Sequence, residues 1–175
     1  MIYKYILAID PSGSFTEGKG TTGWCLLGVD AFFISKAGCL KATDYATQQE
    51  YWDAHIKLID SMNEQYANKT MVVLEDYLLY ADKAKQQINS RMETPQLLGI
   101  LQHYIQSKGI KCIRQPASLV KQRWADKILL RRGIIKQKGT NYVHPCTKEN
   151  LNNHIRDAVR HAVHVAQFRL KGDLK

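Results

Sequence analysis

Five short, β-branched apolar runs interleaved with three stretches of helical periodicity predict an α/β fold, a mixed five-stranded sheet flanked by helices. Their order is β-β-β-α-β-α-β-α, and two strands end on an acidic residue. At 175 residues the chain has the length of one domain, so residues 1–175 are expected to share a single core.

The run YKYILAI, Tyr3 to Ile9, reads as a strand delivering Asp10 at its tip, with Pro-Ser-Gly-Ser as punctuation. After the stretch Ser12 to Thr22, Gly23 to Val29 and Ala31 to Leu40 read as two further, closely linked strands, an antiparallel meander. Gln48 to Tyr66 carries Tyr51, Trp52, His55, Ile56, Leu58, Ile59 and Met62 at helical spacing, and Thr70 to Leu74 then forms a strand ending at Glu75. Thr94-Pro95 opens a second helix, with Leu97, Leu98, Ile100, Leu101 and Tyr104 as its apolar set and Gly109 as its stop. Ile110 to Arg114 is the fifth strand, and Leu151 to Leu170 is a final amphipathic helix. No internal repeat is present.

Composition excludes several classes. With 45% hydrophobic and 23% charged residues, 11 Gly and 4 Pro, the chain is neither disordered, collagen-like nor a coiled coil. No apolar run reaches the roughly 20 residues that span a bilayer, and Met1 to Asp10 lacks the apolar core and cleavage site of an export signal. Cys25, Cys39, Cys112 and Cys146 are widely spaced, as free thiols in a reducing compartment would be. A soluble cytoplasmic protein is expected, with no membrane partner.

The net charge of +9 is concentrated. From Lys108 to Lys148 eleven basic residues stand against one acid, Asp126, a net of +10, and the rest of the chain sums to −1. Such a stretch, interleaved with Trp124, Tyr142 and apolar runs, is the pattern of a phosphate-binding surface, although a merely solvated basic face has the same composition.

If the strands ending at Asp10 and Glu75 are neighbours, their carboxylates meet at one sheet edge and repel unless a cation joins them. In the last helix, at about 100° per residue, His154, Asp157, His161 and His164 fall within an arc of about 80°. His154 and Asp157 can therefore point at the same site. Each signal also has an ordinary reading: Asp10 as a turn residue, Glu75 and Asp76 as solvated acids, Tyr77 and Tyr80 as cover for the core, His154 as a helix-surface histidine, and His161 and His164 as packing or solvent-facing residues. A zinc site from His144, Cys146 and His154 is a further, irregularly spaced option.

Asp10-Pro11, Thr21-Thr22-Gly23-Trp24, Leu74-Glu75 and His154-Ile155-Arg156-Asp157-Ala158 together resemble the RuvC-like Holliday junction resolvases, with most similarity to their bacteriophage members. The resemblance implies a ribonuclease H-like fold and a homodimer acting in a bacterial host's cytoplasm on branched DNA. It further implies paired nicking of four-way junctions with two Mg²⁺ or Mn²⁺ ions per active site. Carried across, Asp10, Glu75, His154 and Asp157 are the expected metal ligands and catalytic residues, with Lys121 as a catalytic lysine near the scissile phosphate. His154 stands where many members carry an acid, and its nitrogen suits Mn²⁺ better than Mg²⁺. Expected DNA contacts are Tyr77, Tyr80, Lys83, Lys85, Arg91, Arg123, Lys127, Arg131, Arg132, Lys136 and Lys138. Two features depart from the family: the stretch Ser12 to Gly20 is long, and Leu78 replaces the aromatic expected after Glu75. Forks and flaps therefore join four-way junctions as candidate substrates. The competing functions are a junction-binding module without cleavage and a nuclease acting on RNA–DNA hybrids.

Overall fold

A computed structural model describes residues 3–77, 91–168 and 170. Among them, β1 (Tyr5–Asp10), β2 (Thr21–Gly28) and β3 (Phe33–Lys41) are followed by α1 (Gln48–Gln65), β4 (Thr70–Asp76) and α2 (Glu93–Ser107). Next come β5 (Cys112–Pro116), the short helices α3 (Ala117–Lys121) and α4 (Asp126–Arg131), the hairpin strands β6 (Lys136–Lys138) and β7 (Asn141–Val143), and α5 (Asn153–Phe168). The five long strands form one mixed sheet in the order β3-β2-β1-β4-β5, so β1 is central. It pairs antiparallel with β2 and parallel with β4, which pairs parallel with β5.

Most boundaries agree with the sequence reading within one or two residues. The third strand starts later than Ala31 because the connection from β2 turns there, with Phe32 at a positive φ of 51°. The fifth strand lies two residues further on than Ile110 to Arg114, in a register that sets Gln115 opposite Glu75. The part of the basic segment after Arg114, to which the sequence reading assigns no elements, holds α3, α4 and the β6–β7 hairpin.

Strand alternation divides the core between the sheet's two faces. Leu7, Ile9, Leu26, Val72 and Leu74 pack against Tyr51, Trp52, Ile59, Leu97, Leu101 and Ile105 of α1 and α2. Ile6, Ala8, Cys25, Leu27, Met71 and Val73 pack against Ile155, Ala158, Val159 and Ala162 of α5, with Val120, Trp124 and Leu129 beside them. Thr47 caps α1 by accepting the Glu50 N–H, and the Glu50 carboxylate accepts the Ala46 N–H. Among the described residues no helix is long and apolar enough to cross a membrane.

The stretch after Asp10 is held from the α1 face. Ser12 N–H donates to Thr22 Oγ1 at 2.9 Å, and the Tyr51 hydroxyl donates to the Ser12 carbonyl at 2.6 Å. Gly13 N–H donates to Thr94 Oγ1, and Thr16 donates through both its N–H and its hydroxyl to the buried Glu93. A Cβ on Gly13 would lie 2.2 Å from the Glu93 carbonyl oxygen, so this approach requires glycine.

Thr22 in turn bonds His55, a fully buried ring whose Nδ1–H donates to the Tyr51 carbonyl and whose Nε2 accepts from Thr22 Oγ1 at 2.8 Å. Burial pushes the His55 pKa down to about 4. Between about pH 6.5 and 4 the unfolded chain therefore takes up a proton that the folded chain refuses. We expect the stability contributed by this neutral ring, on the order of 3 kcal/mol, to be complete above pH 6.5 and lost as pH falls to 4. Urea unfolding of wild type and His55→Gln across that range should show a shallower pH dependence in the variant; identical slopes would refute it.

Candidate active site

Asp10, Glu75 and Gln115 end three neighbouring parallel strands on the α5 face: each continues the parity of Ala8, Val73 and Ile113. Ligands of α/β sheets gather at such carboxyl ends. α5 supplies the remaining acid. Its first turn is capped by Asn152 Oδ1, which accepts the Ile155 N–H at 3.0 Å, and lies directly on Gly23, the β2 partner of Asp10. A Cβ there would fall 2.1 Å from the His154 carbonyl carbon. Glycine in the Thr-Thr-Gly-Trp stretch is thus what lets the helix come close enough to share a site with β1.

One oxygen each from Asp10, Glu75 and Asp157 lies within 4.8 Å of the others, the only such three-residue group among the described residues. Their side chains are only 13–15% exposed, a low-solvent setting that intensifies mutual repulsion. Burial, together with Glu75 and Asp157, raises the Asp10 pKa against the opposing hydrogen bond from His154. That bond, from Nδ1 to Asp10 Oδ2 at 3.1 Å, raises the His154 pKa. Lys121 Nζ lies 2.9 Å from Asp157 Oδ2 and 3.7 Å from Glu75 Oε1. Its half-burial disfavours the ammonium, but Asp157, Glu75 and Asp10 outweigh this and hold its pKa above the usual lysine range.

Three hard oxygen donors with an ammonium already drawn against two of them fit a divalent cation such as Mg²⁺ or Mn²⁺. His154 reaches Asp10 but lies outside the three-carboxylate group, at its rim. The zinc option has no support in the geometry. His144 uses both ring nitrogens internally, Nε2 on the Ile34 carbonyl and Nδ1 accepting from Cys146 and Thr147 N–H, while His154 turns to Asp10.

Several supporting groups were not apparent in the sequence. Arg160, one turn after Asp157, pairs with it and with Asp126 of α4, and donates Nε–H to the Trp124 carbonyl at 3.0 Å. Arg156 Nε–H donates to the same Asp126 oxygen, Oδ1, at 3.2 Å. His161, fully buried, lies between Glu75 Oε2 at 2.9 Å and Gln115 Oε1 at 2.8 Å. Arg160 could have been found as an i,i+3 partner of Asp157; Gln115 and Asp126 carry no such local signal. His164 packs, as its ordinary reading has it, bonded to Trp124 Nε1 at 3.3 Å.

Among the expected DNA contacts, Arg123, Lys127, Arg131, Arg132, Lys136 and Lys138 are exposed around α4 and the hairpin. Arg123 lies over Phe168 and Arg132 over Trp124. Arg91 is exposed but donates to Thr16, whereas Tyr77 packs against the α1-side core. Tyr80, Lys83 and Lys85, with Leu78, lie outside the described residues.

No protein-family model matches the chain, and no curated protein does. Solved structures do. RuvC of Thermus thermophilus in complex with a Holliday junction substrate superposes with a TM-score of 0.67 at 16% identity, covering 98% of this chain and 96% of that one. A second Thermus thermophilus RuvC structure gives a TM-score of 0.63 at 15% identity, with 96% of each chain covered. The fold is therefore the RuvC-type, ribonuclease H-like one, a mixed five-stranded sheet flanked by helices.

Gly23→Ala should push the start of α5 away from β1, since the new methyl meets backbone rather than a movable side chain. We expect a loss of about 1–3 kcal/mol in urea unfolding, with the largest amide shifts at residues 152–158. Unchanged stability and spectra would contradict this packing.

Proposed function

We propose that the chain is a divalent-metal-dependent, structure-selective endodeoxyribonuclease that resolves four-way DNA junctions by paired nicking and also accepts other branched DNA. The observation that carries the proposal is the cluster of Asp10, Glu75 and Asp157 with Lys121 against it, on a RuvC-type fold beside an exposed basic surface. In this reading residues 1–175 form one nuclease domain. It acts as a homodimer in a bacterial host's cytoplasm, as a bacteriophage enzyme would, with two-fold symmetry offering two sites to two strands.

Asp10, Glu75, Asp157 and His154 would hold two Mg²⁺ or Mn²⁺ ions. When bound, these supply Lewis-acid stabilisation of charge developing on the phosphate and a more acidic water. The chain's own residues do the rest by position and charge. Asp10, on the central strand, would hold the ions together with Glu75 and Asp157. Lys121 exchanges its carboxylate partners for a phosphate oxygen of the substrate and balances negative charge developing on the phosphate oxygens. His154, at the exposed rim, faces the incoming strand. Arg123, Lys127, Arg131, Arg132, Lys136 and Lys138 bind the backbone of the arms without reading bases.

Labelled four-way junction, fork, linear duplex and RNA–DNA hybrid, each with Mg²⁺ or Mn²⁺, form the test. Paired nicks in the junction are expected, reduced about 10²- to 10³-fold or more by Asp10→Asn. Tight junction binding without cleavage in either metal would favour a binding module instead, and cleavage confined to the hybrid would favour a ribonuclease.

A further inference from the structure

Resting on the nuclease reading above, we infer that Gln115 and His161 form a positioning relay for Glu75: Gln115 Nε2–H donates to His161 Nδ1, and His161 Nε2–H donates to Glu75 Oε2. The two ring nitrogens of His161 lie 2.8 Å from the Gln115 amide and 2.9 Å from the carboxylate, and both His161 and Gln115 are fully buried.

With the amide oxygen toward the ring, His161 faces an acceptor at each nitrogen, and the buried Gln115 Nε2 group has no partner among the described residues. A side-chain amide has nearly the same outline in either orientation. Turning it by half a rotation places Nε2–H on Nδ1 and gives the ring one donor and one acceptor, as a neutral imidazole requires. The group then left over is an oxygen, a less costly omission than a buried donor.

The relay has a definite mechanical effect. Glu75 Oε2 is tied to α5 through His161, so Oε1, the oxygen that Lys121 approaches at 3.7 Å, is the one turned to the carboxylate cluster. His161 stands four residues after Asp157 on the same helix, and Gln115 stands opposite Glu75 in the β4–β5 register. One ring thereby sets the spacing between the β4 acid and the α5 acid. Imidazole–carboxylate contacts behind metal ligands commonly act in this way.

The test is on the full chain. Without metal, a nitrogen-15 correlation spectrum should show His161 protonated at Nε2 and bare at Nδ1; protonation at Nδ1 would overturn the relay. Direct Mn²⁺ titration by electron paramagnetic resonance should show affinity about 10- to 100-fold weaker in His161→Leu. In His161→Gln, which keeps an N–H donor, affinity should stay within a few-fold of wild type, and both variants should melt at similar temperatures in chelator. Wild-type affinity in His161→Leu, or equal losses in the two variants, would also overturn it. If His161→Leu fails to fold, Gln115→Leu decides: Glu75 still holds Nε2–H, but the ring loses its anchor at Nδ1, so Mn²⁺ affinity should fall several-fold, and unchanged affinity would overturn the relay. Absence of Mn²⁺ binding by the wild type would strike the metal-site reading, while the ring tautomer still decides the relay.

Discussion

Three carboxylates held within 4.8 Å of one another are the constraint around which this structure is arranged. In a site only about one-seventh open to water, such a group is costly, and every element near it bears on that cost. Lys121 and Arg160 are the cations drawn against it, with His154 at the edge. Two positive charges face three acids, and Arg160 is shared with Asp126, so the group is not neutralised by its own partners. The fold keeps the repulsive group together because it owes little of its cohesion to that corner. Cohesion comes from the two apolar layers, on which β1, β4 and α5 are fixed irrespective of what their ends carry.

The two faces of the sheet divide the work. The α5 face carries the acids and their partners. The α1 and α2 face holds the backbone that leads away from Asp10, through Thr22, Tyr51, His55 and Glu93. A long stretch after the first acid therefore does not mean a loose one. Its length is taken up in contacts with the start of α2.

Much of this was legible in the chain itself. Strong apolar runs marked all five sheet strands, and the acids at their ends were visible because β-branched runs stop abruptly at Asp10 and Glu75. That these strands are neighbours, with β1 central, follows from the resemblance rather than from composition. Short elements between Ala117 and Val143 escaped notice because each is only 3 to 6 residues long, too short for a helical or strand period to show. His161 reads as a packing or solvent-facing residue and Gln115 carries no signal; their pairing with Glu75 depends on a strand register and a helix rotation that no local pattern encodes. Gly23 drew attention as part of a motif, yet its reason is steric and belongs to a helix about 130 residues further along.

Asp126 is the single acid in the basic segment, and Arg156 and Arg160 both turn inward to it, while Arg114 turns to Asp76. These guanidinium groups count among the 25 basic residues but are already paired with acids of the same molecule. The counterions that a polyanion could release on binding are those around the outward-facing side chains only. Counting charges along the sequence therefore overstates how steeply binding should depend on ionic strength. The arginines spent inward contribute rigidity where the outward-facing lysines contribute attraction.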